Sequence, residues 1–69
     1  MSVKLGKYQH YKGNFYEVIA LGRFEETLEE VVIYRALYGD NSVWVRKKNV
    51  FLENVTVDNK QVPRFRFVG

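Results

Sequence analysis

Val31-Val32-Ile33-Tyr34-Arg35-Ala36-Leu37-Tyr38, closed by Gly39-Asp40-Asn41, decides the fold of this chain. All but one of the residues from Val31 to Tyr38 are apolar or aromatic. The β-branched Val31, Val32 and Ile33 lose rotamer freedom in a helix but pack well on a pleated surface. The run predicts a central strand covered on both faces, ended by residues that suit turn geometry. Arg35 is the anomaly. Its guanidinium needs a partner or water, so it either pairs with a carboxylate of the acidic segment upstream, Glu29 or Glu26, or emerges on a ligand-binding face. The ion pair is the favoured reading.

Toward the N-terminus the pattern keeps a period of two. Gly6 to Tyr11 alternates as a strand, and Lys12-Gly13-Asn14 turns the chain back as a hairpin. On the return strand, Phe15 to Gly22, Tyr16, Val18 and Ala20 share one face while Phe15, Glu17, Ile19 and Leu21 share the other. Gly22 marks the expected bend. Between Arg23 and Glu30 the apolar pattern breaks. Thr27 and Glu30 have the spacing of a capping box, but the β-branched run that follows makes a helix a poor choice, and the segment reads as a solvated loop with at most a single turn.

Toward the C-terminus, Ser42 to Arg46 is the partner strand of a second hairpin, with Val43 and Val45 on one face and Trp44 and Arg46 on the other. Lys47-Lys48-Asn49 marks its exit. Val50-Phe51-Leu52 has room for one helical turn, and Val55 and Val57 alternate with polar residues in a further strand. Asp58-Asn59-Lys60 is a tight turn before the last strand, Val62 to Val68. Pro63 confines that end to an edge or a bulge, and Phe65 and Phe67 face one side while Arg64 and Arg66 face the other. The expectation is an all-β fold, a small, partly open SH3-like barrel of about five strands with at most one or two short helical turns, residues 1–69 forming a single domain.

Composition agrees. A chain of 69 residues buries only about 60% of its unfolded surface, so its core is thin. Five Phe, five Tyr and one Trp supply the bulk that such a core needs. There is no cysteine, which excludes a disulfide scaffold, a thiol nucleophile and cysteine-ligated metal, and suits a reducing cytoplasm. No apolar run approaches a membrane span, and no leader pattern occurs, so the expected setting is cytoplasmic. The net charge of +3 is uneven: both ends are basic, and the segment from Phe24 to Asp40 sets five acids against Arg35 alone. Such a balance gives solubility and weak attraction to polyanions, far from the charge density of a dedicated nucleic-acid arm.

Catalytic groups are scarce. His10 is the single histidine, Ser2 and Ser42 are the only serines, and no glycine-rich phosphate loop occurs, so the chain reads as no enzyme and His10 as structural. Glu25, Glu26, Glu29 and Glu30 lack the spacing and the sharp glycine of a calcium loop, and no cofactor or metal is expected. The sharper candidate ligand-binding set is Trp44, Arg46, Arg64 and Arg66, with Lys47 and Lys48 nearby. A ring flanked by guanidiniums suits an acidic peptide segment or single-stranded nucleic acid. Alternation pairs Trp44 with Arg46 and Arg64 with Arg66, but whether the two pairs adjoin, and whether Trp44 is core or surface, depends on how the barrel closes. The leading reading is a non-catalytic module that binds a protein segment through this aromatic and basic face; the alternative is a nucleic-acid-binding module.

Several ordered words of the chain carry a resemblance: Gly6-Lys7-Tyr8, His10-Tyr11-Lys12-Gly13-Asn14, Tyr16-Glu17-Val18, Glu26-Thr27-Leu28-Glu29-Glu30, Tyr34-Arg35-Ala36-Leu37-Tyr38-Gly39, Trp44-Val45-Arg46, Phe51 and Val62-Pro63-Arg64-Phe65. Together they resemble a bacterial family of short proteins known as domain of unknown function 1653. The resemblance implies an SH3-like β-barrel and a bacterial source, and it implies no activity. One departure is the last turn, where that family usually has Asp-Gly and this chain has Asp58-Asn59.

Overall fold

A computed structural model describes residues 2–69. Seven strands and one helical turn follow in chain order: β1 (Gly6–His10), β2 (Phe15–Arg23), β3 (Glu30–Ala36), β4 (Val43–Lys47), α1 (Lys48–Phe51), β5 (Asn54–Val57), β6 (Lys60–Pro63) and β7 (Phe65–Phe67). Five of them form one antiparallel sheet in the order β4-β3-β2-β1-β7, and β5 and β6 form a separate hairpin. The expected all-β class holds. Barrel closure is not found among the described residues, because the edge strands β4 and β7 do not pair with each other.

The central position of β3 follows from its side chains. Val32, Tyr34 and Ala36 alternate onto one face and are buried, which makes that face the inner one. The strand ends at Ala36 rather than at Tyr38, since Leu37 and Tyr38 already belong to the exposed connection to β4. Cover on both faces is incomplete: Val31 is buried on the outer side, but Ile33 and Arg35 there are only half-buried.

Three further expectations need correction. The bend in β2 falls between Val18 and Ala20, where the register with β3 shifts, and Gly22 pairs regularly with Val31. The shift inserts one extra residue, so side chains before and after it face differently and Leu21, paired with the buried Val32, returns to the inner side. The second correction concerns Val62 to Val68, which is two strands. Pro63 has no N–H to offer, and at Arg64 the chain changes sheets: the Arg64 N–H donates to the Glu53 carbonyl at 2.9 Å, while its carbonyl accepts from the Tyr11 N–H at 3.0 Å. β6 thus ends on β5, and β7 begins on β1.

The third is Arg35, which forms no ion pair with Glu29 or Glu26. Its neighbours across the sheet are Glu17 and Val43, and the glutamates of the acidic segment go elsewhere. Glu29 reaches Lys47 at 3.3 Å, and Glu30 reaches Lys48 at 3.3 Å and Arg23 at 3.8 Å. The segment itself is a tight loop. Thr27 bonds the Glu29 backbone N–H and carboxylate, not Glu30, so the capping-box spacing serves a loop and not a helix.

The core lies on the inner face under α1. Phe51, 2% exposed, stacks on Phe65 with ring centroids 4.3 Å apart and planes 8° from parallel. Val3, Tyr8, Val18, Val32 and Tyr34 close around that pair. One helical turn suffices because its task is to carry Phe51 across the sheet.

Candidate functional site

Side-chain parity sorts the expected site residues. In the β3–β4 ladder Trp44 stands opposite Tyr34 and Arg46 opposite Val32, so both lie on the inner face, at the end that α1 leaves open. Arg66 pairs with Gln9, one step out of phase with the inner residues Tyr8 and Phe65, and so faces outward. There its guanidinium donates to the Gln9 amide oxygen at 2.8 Å and borders a second hollow of ≈ 370 Å³ with Tyr11 and Val62. Arg64, at the change of sheets, is tied to the Glu53 carboxylate at 3.2 Å. The structure therefore brings Trp44 and Arg46 together and holds Arg64 and Arg66 in other settings.

What joins Trp44 and Arg46 is tyrosine. Tyr16, Tyr34, Tyr38, Trp44 and Arg46 line a cleft of ≈ 210 Å³. Tyr16 and Tyr34 come from the inner faces of β2 and β3, with ring centroids 5.4 Å apart and edge to face. Tyr38 comes from the β3–β4 connection. Gly39 and Asn41 both take positive φ there, at 59° and 58°, and the Asn41 amide donates to the Ala36 carbonyl at 2.9 Å. That geometry folds Tyr38 back so that its hydroxyl meets the Tyr16 hydroxyl at 2.6 Å. Arg46 donates from Nε to the Tyr34 hydroxyl at 3.2 Å, and its guanidinium lies 5.9 Å from the Phe65 ring centroid.

Charge is unbalanced at this cleft. Among the described residues Lys47, Lys48 and Arg64 each pair with a carboxylate, and Arg46 pairs with none. Burial, followed by the positive field of Arg46, Arg64 and Lys12, holds the His10 imidazole below its ordinary value of 6.5. Burial and the Tyr38 hydroxyl push the Tyr16 phenol up to about 12. The Tyr16 hydroxyl thus stays protonated at neutral pH and can donate a hydrogen bond. Trp44, 54% exposed, is a surface ring. By contrast, the charged groups that border the hollow of Glu29, Glu30 and Lys48 are already paired, Lys48 with Glu30 and Glu29 with Lys47.

Sequence reasoning did not reach the tyrosines. The signal was present for Tyr34, which the Gly39-Asp40-Asn41 turn sets opposite Trp44; Tyr38 depends on how the loop folds and has no period to read.

The DUF1653 family model, described as a protein of unknown function, matches residues 6–67. The chain belongs to the DUF1653 family. A crystal structure of a DUF1653 protein from Bordetella bronchiseptica is similar at 36% identity with a TM-score of 0.90, over 99% of this chain and 90% of that one. No curated protein matches this DUF1653 chain. Among the described residues no helix is long and apolar enough to cross a membrane.

Proposed function

We propose that this DUF1653 chain is a non-catalytic interaction module, built as a partly open SH3-like barrel in a bacterial cytoplasm, that holds a protein segment against Trp44 and Arg46. The observation that carries the reading is a half-exposed indole beside a guanidinium with no carboxylate partner, in a cleft walled by three tyrosines. Such a ring brings large contact area at little entropy cost, and the unmatched charge favours an acidic side chain. His10 supports the non-catalytic part: its Nδ1 accepts the Lys12 N–H at 3.2 Å, and its ring packs edge to face on Phe65, 4.9 Å between centroids. The nucleic-acid alternative draws on the same indole and guanidinium, but it loses the neighbouring cations Lys47, Lys48 and Arg64 to glutamates.

Trp44, as the single tryptophan, reports its own occupancy by fluorescence. Titration with acidic, neutral and basic peptides and with single-stranded oligonucleotides, at low and moderate salt, tests the reading. Acidic peptides bind in preference, and Arg46→Gln weakens them about tenfold, the scale of one charge-assisted contact. Oligonucleotide binding that falls steeply with salt assigns the face to nucleic acid instead. A response to neither class overturns both readings.

A further inference from the structure

The cleft adjoins an open sheet edge. Among the described residues β4 has β3 on one side and no strand on the other. The Ala36 N–H donates to the Ser42 carbonyl at 2.9 Å, which marks that facing pair as hydrogen-bonded. Alternation along the antiparallel ladder makes Tyr34 with Trp44, and Val32 with Arg46, the next such pairs. The backbone groups of Trp44 and Arg46 therefore point to β3, and those of Val43 and Val45 point away from the sheet. Around these outward groups the strand is apolar: Val43 is 48% and Val45 53% exposed. The opposite edge, β7, is three residues long and follows Pro63 closely, the short and proline-bounded form that discourages pairing.

We propose that the partner is an extended acidic segment of another protein that adds to β4 as an antiparallel strand, its backbone bonding Val43 and Val45 and an acidic side chain standing opposite Arg46. This rests on the function proposed above and specifies how the segment is held. Parity sets the pattern it must carry. Residues opposite Val43 and Val45 share their outer, apolar face, and residues opposite Trp44 and Arg46 share the inner face with the cleft. Read along the partner, the pattern is acidic, apolar, variable, apolar. The pair at Arg46 is of the non-hydrogen-bonded kind, in which facing side chains come closest, so the acid meets the guanidinium directly. Charge chooses this occupant over a second copy of the chain. A second β4 would bring its own Arg46 and Lys47, with no acid between Val43 and Lys47 to match them. Backbone bonds in such additions supply affinity and the alternate side chains supply selectivity.

The probe is the peptide acetyl-Thr-Glu-Val-Thr-Val-Thr-amide, titrated into the full chain labelled with nitrogen-15. At saturation the exchange of the Val43 and Val45 amide protons slows by about tenfold or more, as for amides newly bonded in a ladder, while Trp44 and Arg46, already bonded to β3, change little. Replacing the peptide's Glu with Gln weakens binding about tenfold. Methylating the backbone nitrogens of both peptide valines abolishes it. Val45→Pro on the protein does the same, because the N–H it removes faces away from β3 and the fold tolerates proline there. Should that variant fail to fold, the methylated peptide decides alone. If the peptide moves Trp44 and Tyr16 resonances while Val43 and Val45 exchange as in the free chain, strand addition is overturned and the cleft reading stands. If no peptide moves any resonance, both are overturned. Protection of Val43 and Val45 in the free chain that grows with protein concentration assigns the edge to a second copy and overturns the proposal.

Discussion

Trp44 and Arg46 stand two apart on one strand, and that spacing puts a large ring and an unmatched charge on the same side of the sheet. Because the ring is half exposed, Trp44→Ala costs at most about 1 kcal/mol in a urea melt, against the roughly 3–5 kcal/mol of a core aromatic. Peptide binding falls in the same variant. Arg35 is a half-buried cation on the outer face, opposite Glu17. A double-mutant cycle gives no coupling to Glu29 or Glu26 and at most about 1 kcal/mol to Glu17. His10 sets a pH limb. Its folded-state value lies below the ordinary 6.5, so the unfolded chain takes up the proton first, and stability present above 6.5 is lost as pH falls below that value. Urea midpoints measured downward from neutral pH show this loss, and His10→Gln removes it.

Turns and connections decide which strands become partners. Asp58 and Asn59 both take positive φ, at 51° and 65°, and Val57 pairs directly with Lys60, so the β5–β6 link is a two-residue hairpin turn despite lacking the family's usual glycine. Asparagine tolerates that region and a β-branched residue does not. Asn59→Val accordingly destabilises by about 1–2 kcal/mol, read as a lowered thermal midpoint. The acidic loop between β2 and β3 works as a clasp: Glu29 and Glu30 hold Lys47 and Lys48 at the exit of β4. It thereby pairs off the two cations that follow Arg46 in the chain and leaves Arg46 as the charge that a partner meets.

For the whole molecule, a chain of this size has a folding free energy of roughly 3–10 kcal/mol, at ~0.05–0.15 kcal/mol per residue. Phe51 fills the centre of a core with few other members, and Phe51→Ala removes about 3–5 kcal/mol. That consumes much of the total, so the variant shows a strongly lowered urea midpoint or loses its β-sheet circular dichroism at ordinary temperature. Most of the strands, the hairpins and the shared face of Trp44 and Arg46 were legible from the residues alone, because period-two alternation and turn chemistry act within a few positions of one another. Other features depended on contacts distant in sequence. The division at Arg64 needs Glu53 and Tyr11 to claim opposite sides of one residue, and the separation of Arg66 from Arg46 follows from that division and from the pairing of β7 with β1. The Tyr16–Tyr38 contact joins residues 22 apart in sequence through a loop whose course no periodicity encodes. Local sterics and polarity wrote the strands and their faces; which faces meet, and so where the cleft lies, was decided by the tertiary pairing of segments that share no local pattern.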